Sequence, residues 1–236
     1  GNATALTVDP AGLTVTGSKT YDATTGFSVT QLTVVGGVNG EAVTLAAGAG
    51  TTASADAGTD VGAGLTGLGL SVAGGNGQAA TYRLPTTGTL TITPATVGVR
   101  VNDGRSTYGD RPVDPGLAAT GLVGGQGVAV LTGLSTSFSL DAASPAGRYT
   151  VAVAGRLTNG NYRIGTSEAG TYTIDRRPIT VTADAQTRLY GDANPSLTYT
   201  TTSLGSGAPL SGTLTTADAT AGVGSYAIRP EEPTTR

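Results

Sequence analysis

The 236-residue chain has no cysteine, histidine, methionine or tryptophan. Without cysteine there is neither a disulfide framework nor a thiolate nucleophile, and without cysteine or histidine the usual zinc and iron ligand sets cannot be assembled. A Ser-His-Asp triad is excluded for the same reason. Charge is also scarce. Charged residues make up 12% of the chain and the net charge is −3, so no basic patch recommends nucleic acid or an anionic membrane as a partner. No apolar run approaches the roughly 20 residues that span a bilayer, and "GNATALTVDP" lacks the basic and apolar regions of a signal peptide. A start of that kind reads as the interior of a longer protein.

Glycine, valine, threonine and tyrosine take the place of these residues. The 38 glycines follow no three-residue period, so the chain is not collagen-like. Its valine- and threonine-rich runs alternate with period two, as strands do. No stretch offers a glycine-free helical period. An all-β fold with little helix is expected.

The strongest signal is a repeat. "RLYGDANPSLTYT" from Arg188 has counterparts in "STYGDRPVDPGLAAT" from Ser106 and, more loosely, in "KTYDATTGFSVTQLTV" from Lys19. The anchoring tyrosines are Tyr21, Tyr108 and Tyr190, spaced by 87 and 82 residues. A long fixed period predicts an elongated tandem array of like modules. Pro10, Pro94 and Pro178 each follow a short strand-like run, and a residue that cannot donate to a ladder marks a strand end. Residues 1–10 then read as the closing strand (residues 5–8) of a preceding module. Residues 11–94 and 95–177 read as two full modules, and 178–236 as a partial third. The glycine- and alanine-rich stretch 46–67 reads as a loop or irregular edge.

The third module lacks counterparts of the "NY" strand and of the closing "GTYTID" strand. Either a boundary cuts it, or it leaves a bare edge that another chain fills. In the second case strand 5–8 of a neighbour could complete it by β-strand addition, with head-to-tail association.

The openings carry a family likeness. "TYDATT" resembles the YDG-type repeat, with Ala23 standing where that pattern has glycine, and "YGDRP" and "YGDANPSLTYT" resemble the YGX-type MBG repeat. Such repeats occur in large bacterial exoproteins similar to filamentous haemagglutinin, exported by two-partner secretion. The resemblance implies an immunoglobulin-like or β-grasp-like module and a secreted or cell-surface location. It also implies a role in an adhesin or its stalk, with surface glycans or proteins as partners, and carries no catalytic residue.

Individual residues offer other chemistry. Tyr21, Tyr108 and Tyr190 are expected as half-buried anchors with the hydroxyl satisfied at an edge. Asp103, Asp110, Asp114, Asp184 and Asp192 lie near module boundaries, where turn capping competes with a calcium site as the only cofactor in prospect. Lys19, the one lysine among 13 basic residues, stands where an intramolecular isopeptide bond to an asparagine could form, or is a solvated strand residue. Arg105, Arg111, Arg163 and Arg188 are candidates for acidic glycans, or solvated faces. "GAGLTG", with Gly62, Gly64 and Gly67, matches a dinucleotide fingerprint but is followed by a strand-like run instead of a helix. No spacing singles out a carboxylate pair among the 16 acidic residues, so no enzyme activity is expected.

Overall fold

A computed structural model describes residues 4–75 and 77–231. The outer ends of the leading segment and the last module, residues 1–3 and 232–236, lie outside it.

Strands account for nearly all of the regular structure, and the only helices among the described residues are three single-turn 3-10 segments. The first repeat holds β1 (Ala11–Gly12), β2 (Thr14–Thr20), β3 (Gly26–Ser28), β4 (Leu32–Val35), β5 (Ala42–Thr51), β6 (Gly58–Ala73), β7 (Tyr82–Arg83) and β8 (Thr87–Thr93). The second holds β9 (Ala95–Val101), β10 (Gly104–Thr107), β11 (Leu117–Thr120), β12 (Leu134–Thr136), β13 (Gly147–Val151), β14 (Val153–Gly155), β15 (Tyr162–Glu168) and β16 (Gly170–Asp175). The third holds four short strands: β17 (Val181–Ala183), β18 (Tyr199–Thr201), β19 (Leu214–Thr215) and β20 (Arg229–Pro230).

The chain divides into two compact units. One comprises Gly1–Arg100, Leu117–Thr136 and Val153–Glu168, and the other Val101–Gly116, Ser137–Ala152 and Ala169–Arg236. Within the first unit a six-stranded sheet runs in the order β3-β5-β6-β8-β2-β4, and a three-stranded sheet in the order β11-β9-β15. Within the second, β16 lies between β10 and β13, while β17 pairs with β18 and β19 with β20.

One expectation from sequence is corrected here. Residues 46–67 fall largely in β5 and β6, the longest strands of the protein, paired antiparallel from Ala42↔Ala73 to Thr51↔Gly64. Their small residues suit the packing, because Leu90 from β8 is fully buried over this sheet and needs glycine beneath it. A Cβ on Gly50 would come within 2.7 Å of one Leu90 methyl, and one on Gly17 within 2.8 Å of the other. Residues 5–8, in turn, form no strand, and Leu6 and Val8 are 90% and 83% exposed.

The core of the first unit is continuous from the first repeat into the second. Leu13, Val15, Phe27, Leu65, Leu90 and Ile92 cluster with Val97, Val99, Leu131 and Tyr162. β9 reads buried at Ala95, Val97, Val99 and Val101, the alternation expected of a half-buried strand. The third repeat differs sharply: none of the described residues from 176 to 231 is buried.

Candidate functional site: the repeat junctions

Each of the first two repeats closes in the same way. Its last strand inserts parallel to the strand leading to the anchoring tyrosine and antiparallel to an earlier strand. β8 pairs with β2 (Thr20↔Thr93) and with β6 (Asp60↔Leu90). β16 pairs with β10 (Thr107↔Asp175) and with β13 (Tyr149↔Tyr172). In both, the tyrosine amide then donates to the last carbonyl of the closing strand, Tyr21 to Thr93 at 2.8 Å and Tyr108 to Asp175 at 2.8 Å. The tyrosine is thereby aimed past the end of its own sheet.

At the first junction Tyr21 is buried, and its ring meets Tyr162 of the second repeat edge to face, centroids 5.5 Å apart. Gln126 links the pair, donating to the Tyr21 hydroxyl at 3.5 Å and accepting from that of Tyr162. The Tyr162 hydroxyl also accepts from the Val123 amide at 3.1 Å. Nearby, Asn161 accepts from the Ala57 amide at 2.6 Å and donates to Asp56 at 2.8 Å. The hydrogen bond from Asn161, with a second from Ser54, holds the Asp56 carboxyl below its ordinary pKa.

At the second junction, wholly within the second unit, Tyr108 is half-buried. Its hydroxyl accepts from the Ala208 amide at 2.9 Å, and the Gly109 carbonyl accepts from the Ser206 amide at 2.7 Å. Arg177 donates to the Tyr108 carbonyl at 2.7 Å and pairs with Asp110. Glycine is required on both sides. Gly109 has φ of +84°, and a Cβ there would meet the Leu204 carbonyl oxygen at 2.4 Å. A Cβ on Gly207 would meet the Tyr108 ring at 2.5 Å. The two junctions use one scheme: the tyrosine of one repeat against a glycine-rich loop (residues 121–127 or 204–208) of the next. The YGD and YDA motifs mark the tyrosine side in sequence. The loop side is marked only by paired glycines and could not be told from any other turn.

Tyr190 departs from the expectation of a half-buried anchor, being 72% exposed. Among the described residues no strand and no loop covers it as Asp175 and Ala208 cover Tyr108.

Lys19 is buried beneath the first junction. Four oxygens surround its ammonium and share its three N–H donors, Asp22 Oδ1 (2.8 Å), the Thr24 carbonyl (2.8 Å) and hydroxyl (2.7 Å) and the Gly26 carbonyl (2.8 Å), with the Phe27 ring centroid 5.0 Å away. No asparagine is among these partners. The lysine pins the turn between β2 and β3. Burial works to raise the pKa of Asp22, but hydrogen bonds from Lys19 and Thr24 outweigh it and hold the carboxyl below its ordinary value.

The five aspartates considered for calcium have separate roles. Asp103 accepts from the Thr171 amide, Asp110 pairs with Arg177, Asp114 accepts from the Gly116 amide and Asp184 from the Thr198 hydroxyl. The Asp192 amide closes a turn onto the Leu189 carbonyl. Among the described residues no three acidic side chains converge. Three of the four arginines considered for acidic glycans are engaged with their own chain. Arg105 pairs with Asp175, raising its own pKa and lowering that of the carboxyl. Arg163 donates to Thr96, and Arg188 to Asn194 and to the Leu189 and Asp218 carbonyls, while Arg111 is exposed. Gly62, Gly64 and Gly67 lie inside β6, with no helix after them.

Comparison with known families matches the MBG domain (YGX type) to residues 97–173 and 179–235, and the YDG domain to residues 3–89. No curated protein and no solved structure matches.

Proposed function

Because this chain belongs to the MBG domain (YGX type) family, with a YDG domain ahead of its two MBG domains, we propose that it is a stalk segment of a large secreted bacterial surface adhesin. Its work in this reading is mechanical: to hold successive β-modules in fixed order and carry the adhesive ends of the fibre away from the cell. The observation that carries the proposal is the repeated junction. Tyr21 and Tyr108 each bind the next repeat through ring packing or hydrogen bonds to a glycine-rich loop, and the first repeat shares one core with the near strands of the second. Contact between neighbours is what stabilises thin modules in an array.

The arginines favour a spacer over a glycan-binding module, since Arg105, Arg163 and Arg188 are occupied by groups of their own chain. The test is binding of the purified chain to a broad panel of glycans and matrix proteins. A stalk segment shows no saturable binding. Saturable binding to one ligand class, lost on changing Arg111 or other exposed residues, would overturn the spacer role in favour of a carbohydrate-binding module.

A further inference from the structure

In a stalk, tension enters each repeat at its first strand and leaves at its last, and in the first two repeats those strands are neighbours. In the first repeat β1 pairs with β7 from Ala11↔Tyr82, and β2 with β8 from Thr16↔Thr89 to Thr20↔Thr93. In the second, β9 pairs with β15 from Ala95↔Tyr162 to Arg100↔Glu168 within the first unit. Within the second unit β10 pairs with β16 from Gly104↔Tyr172 to Thr107↔Asp175. All four pairings are parallel.

The parallel sense decides how such a ladder meets a pull. The chain enters at the start of one strand and leaves at the end of its neighbour, so the two points lie at opposite ends of the ladder. Tension then runs along the strands and loads the evenly spaced bonds of a parallel ladder together. Entry and exit strands paired antiparallel would put both points at one end, where the bonds open one at a time. The antiparallel pairs β5 with β6 and β12 with β14 lie between the entry and exit strands in sequence, and stay unloaded while the ladders hold.

Side chains tie the same strands together. Thr93 Oγ1 donates to the Lys19 carbonyl at 3.2 Å, and Arg163 donates to Thr96 Oγ1 at 2.8 Å. Arg105 pairs with both carboxylate oxygens of Asp175. The last rung is the tyrosine amide, Tyr21 to Thr93 and Tyr108 to Asp175. On their inward faces the ladders are dry, because Val15, Val97 and Val99 of the entry strands and Leu90, Ile92, Tyr172 and Ile174 of the exit strands are buried. Bonds kept from water are the stronger ones. Between the first two repeats only Pro94 separates β8 from β9, so a pull passes from one ladder to the next through a single residue of fixed φ.

We infer that the parallel entry–exit ladders of the first two repeats are shear clamps. They pass fibre tension from strand to strand and keep the bodies of the repeats, residues 22–81 and 109–161, off the path of the pull. Forced unfolding is governed by the unfolding rate and not by the equilibrium stability, so a thin module can resist a pull that its core alone would not. The direction of the pull rests on the stalk reading. The two fail separately: ladders that part easily leave a spacer that works without tension, and glycan binding would remove the spacer role while leaving strong ladders standing.

The test is single-molecule stretching of the intact chain, held by DNA handles on introduced cysteines in a protein that has none of its own. Asp9→Cys with Arg176→Cys pulls along the ladders, from before β1 to after β16. Thr14→Cys with Thr86→Cys pulls from the one end at which β2 and β8 both begin. All four positions are exposed. At equal loading rate the first pair is expected to yield only at a force several-fold above that of the second. Adding Arg105→Ala and Arg163→Ala to the first pair is expected to lower its force while the urea midpoint stays in place, since exposed side-chain pairs contribute little at equilibrium. Equal forces in the two directions, or a lower force along the ladders, overturn the inference. An unchanged force in the arginine variant overturns the part given to the side-chain rungs.

Discussion

Asn161 donates to Asp56 at 2.8 Å across 105 residues of chain, with Pro94 lying between the two in sequence. The same amide side chain accepts from Ala57, while the Asn161 carbonyl accepts from Ala95, so one residue ties the end of the first repeat to the start of the second. Asn161→Ala removes both side-chain bonds and leaves the Ala57 amide without its acceptor. We expect a loss of about 1–3 kcal/mol, read as a shift in the urea midpoint of the first unit. No shift would mean the contact contributes nothing to the junction.

Tyr21 and Tyr162 are both buried at that junction. Tyr21→Ala removes a ring and its edge-to-face partner, and is expected to destabilise the first unit by about 3–5 kcal/mol. Tyr21→Phe keeps the ring and loses only the long hydrogen bond from Gln126, so it should cost under about 1 kcal/mol. Equal losses from both would show that the hydroxyl, and not the packing, matters.

Ala23 has φ of +61°, in the left-handed region that a Cβ disfavours. It is also the position at which the YDG pattern carries glycine. Ala23→Gly relieves that strain and is expected to stabilise by roughly 0.5 kcal/mol once the greater entropy of unfolded glycine is subtracted. A lower melting temperature for the variant would contradict this.

Lys19→Met leaves the Thr24 and Gly26 carbonyls and the Asp22 carboxylate without their shared donor, at an expected cost of about 2–3 kcal/mol. Lys19→Arg is not expected to rescue, because a planar, larger guanidinium cannot take the place of a compact ammonium whose three donors are shared among oxygens clustered around one nitrogen. The intact mass of the wild type should equal the sequence mass, since no asparagine is among the groups bonded to the ammonium. A mass lower by one ammonia would refute that.

Asp22, Asp56, Asp175 and Asp218 are all held below the ordinary carboxylate pKa by their partners. A depressed folded pKa contributes stability that is fully present above the unfolded value, about 3.9 for aspartate, and is lost as pH falls through the folded value. With no histidine to titrate, the urea midpoint should be flat from about pH 5 to 8 and fall steadily below about pH 4. A midpoint that fell between pH 7 and 5 would contradict this assignment.

Amide exchange should divide the chain unevenly. The third repeat has no buried side chain among its described residues, so its amides are expected to exchange orders of magnitude faster than those of β8 or β9. Protection in residues 178–231 equal to that of the first unit, in dilute solution, would contradict this.

The sequence by itself determined the strands with clean alternation, the tandem period and the family. Threonine–valine alternation dictates which face of β9 or β16 is buried, and a tyrosine followed by Gly-Asp or Asp recurs wherever a leading strand ends. It also contained the likeness of residues 5–9 to β8 and β16. Tertiary structure decided what neighbours decide. The glycine- and alanine-rich stretch 46–67 carries too little β propensity to be read as the facing halves of β5 and β6, and is strand because Leu90 packs closely against glycine backbone there. Residues 5–8, with better propensity, form none because a strand exists only where a partner offers its hydrogen bonds. For the same reason three similar tyrosines end up buried, half-buried and exposed: each is placed by whatever segment lies across the end of its strand, and no local pattern records that.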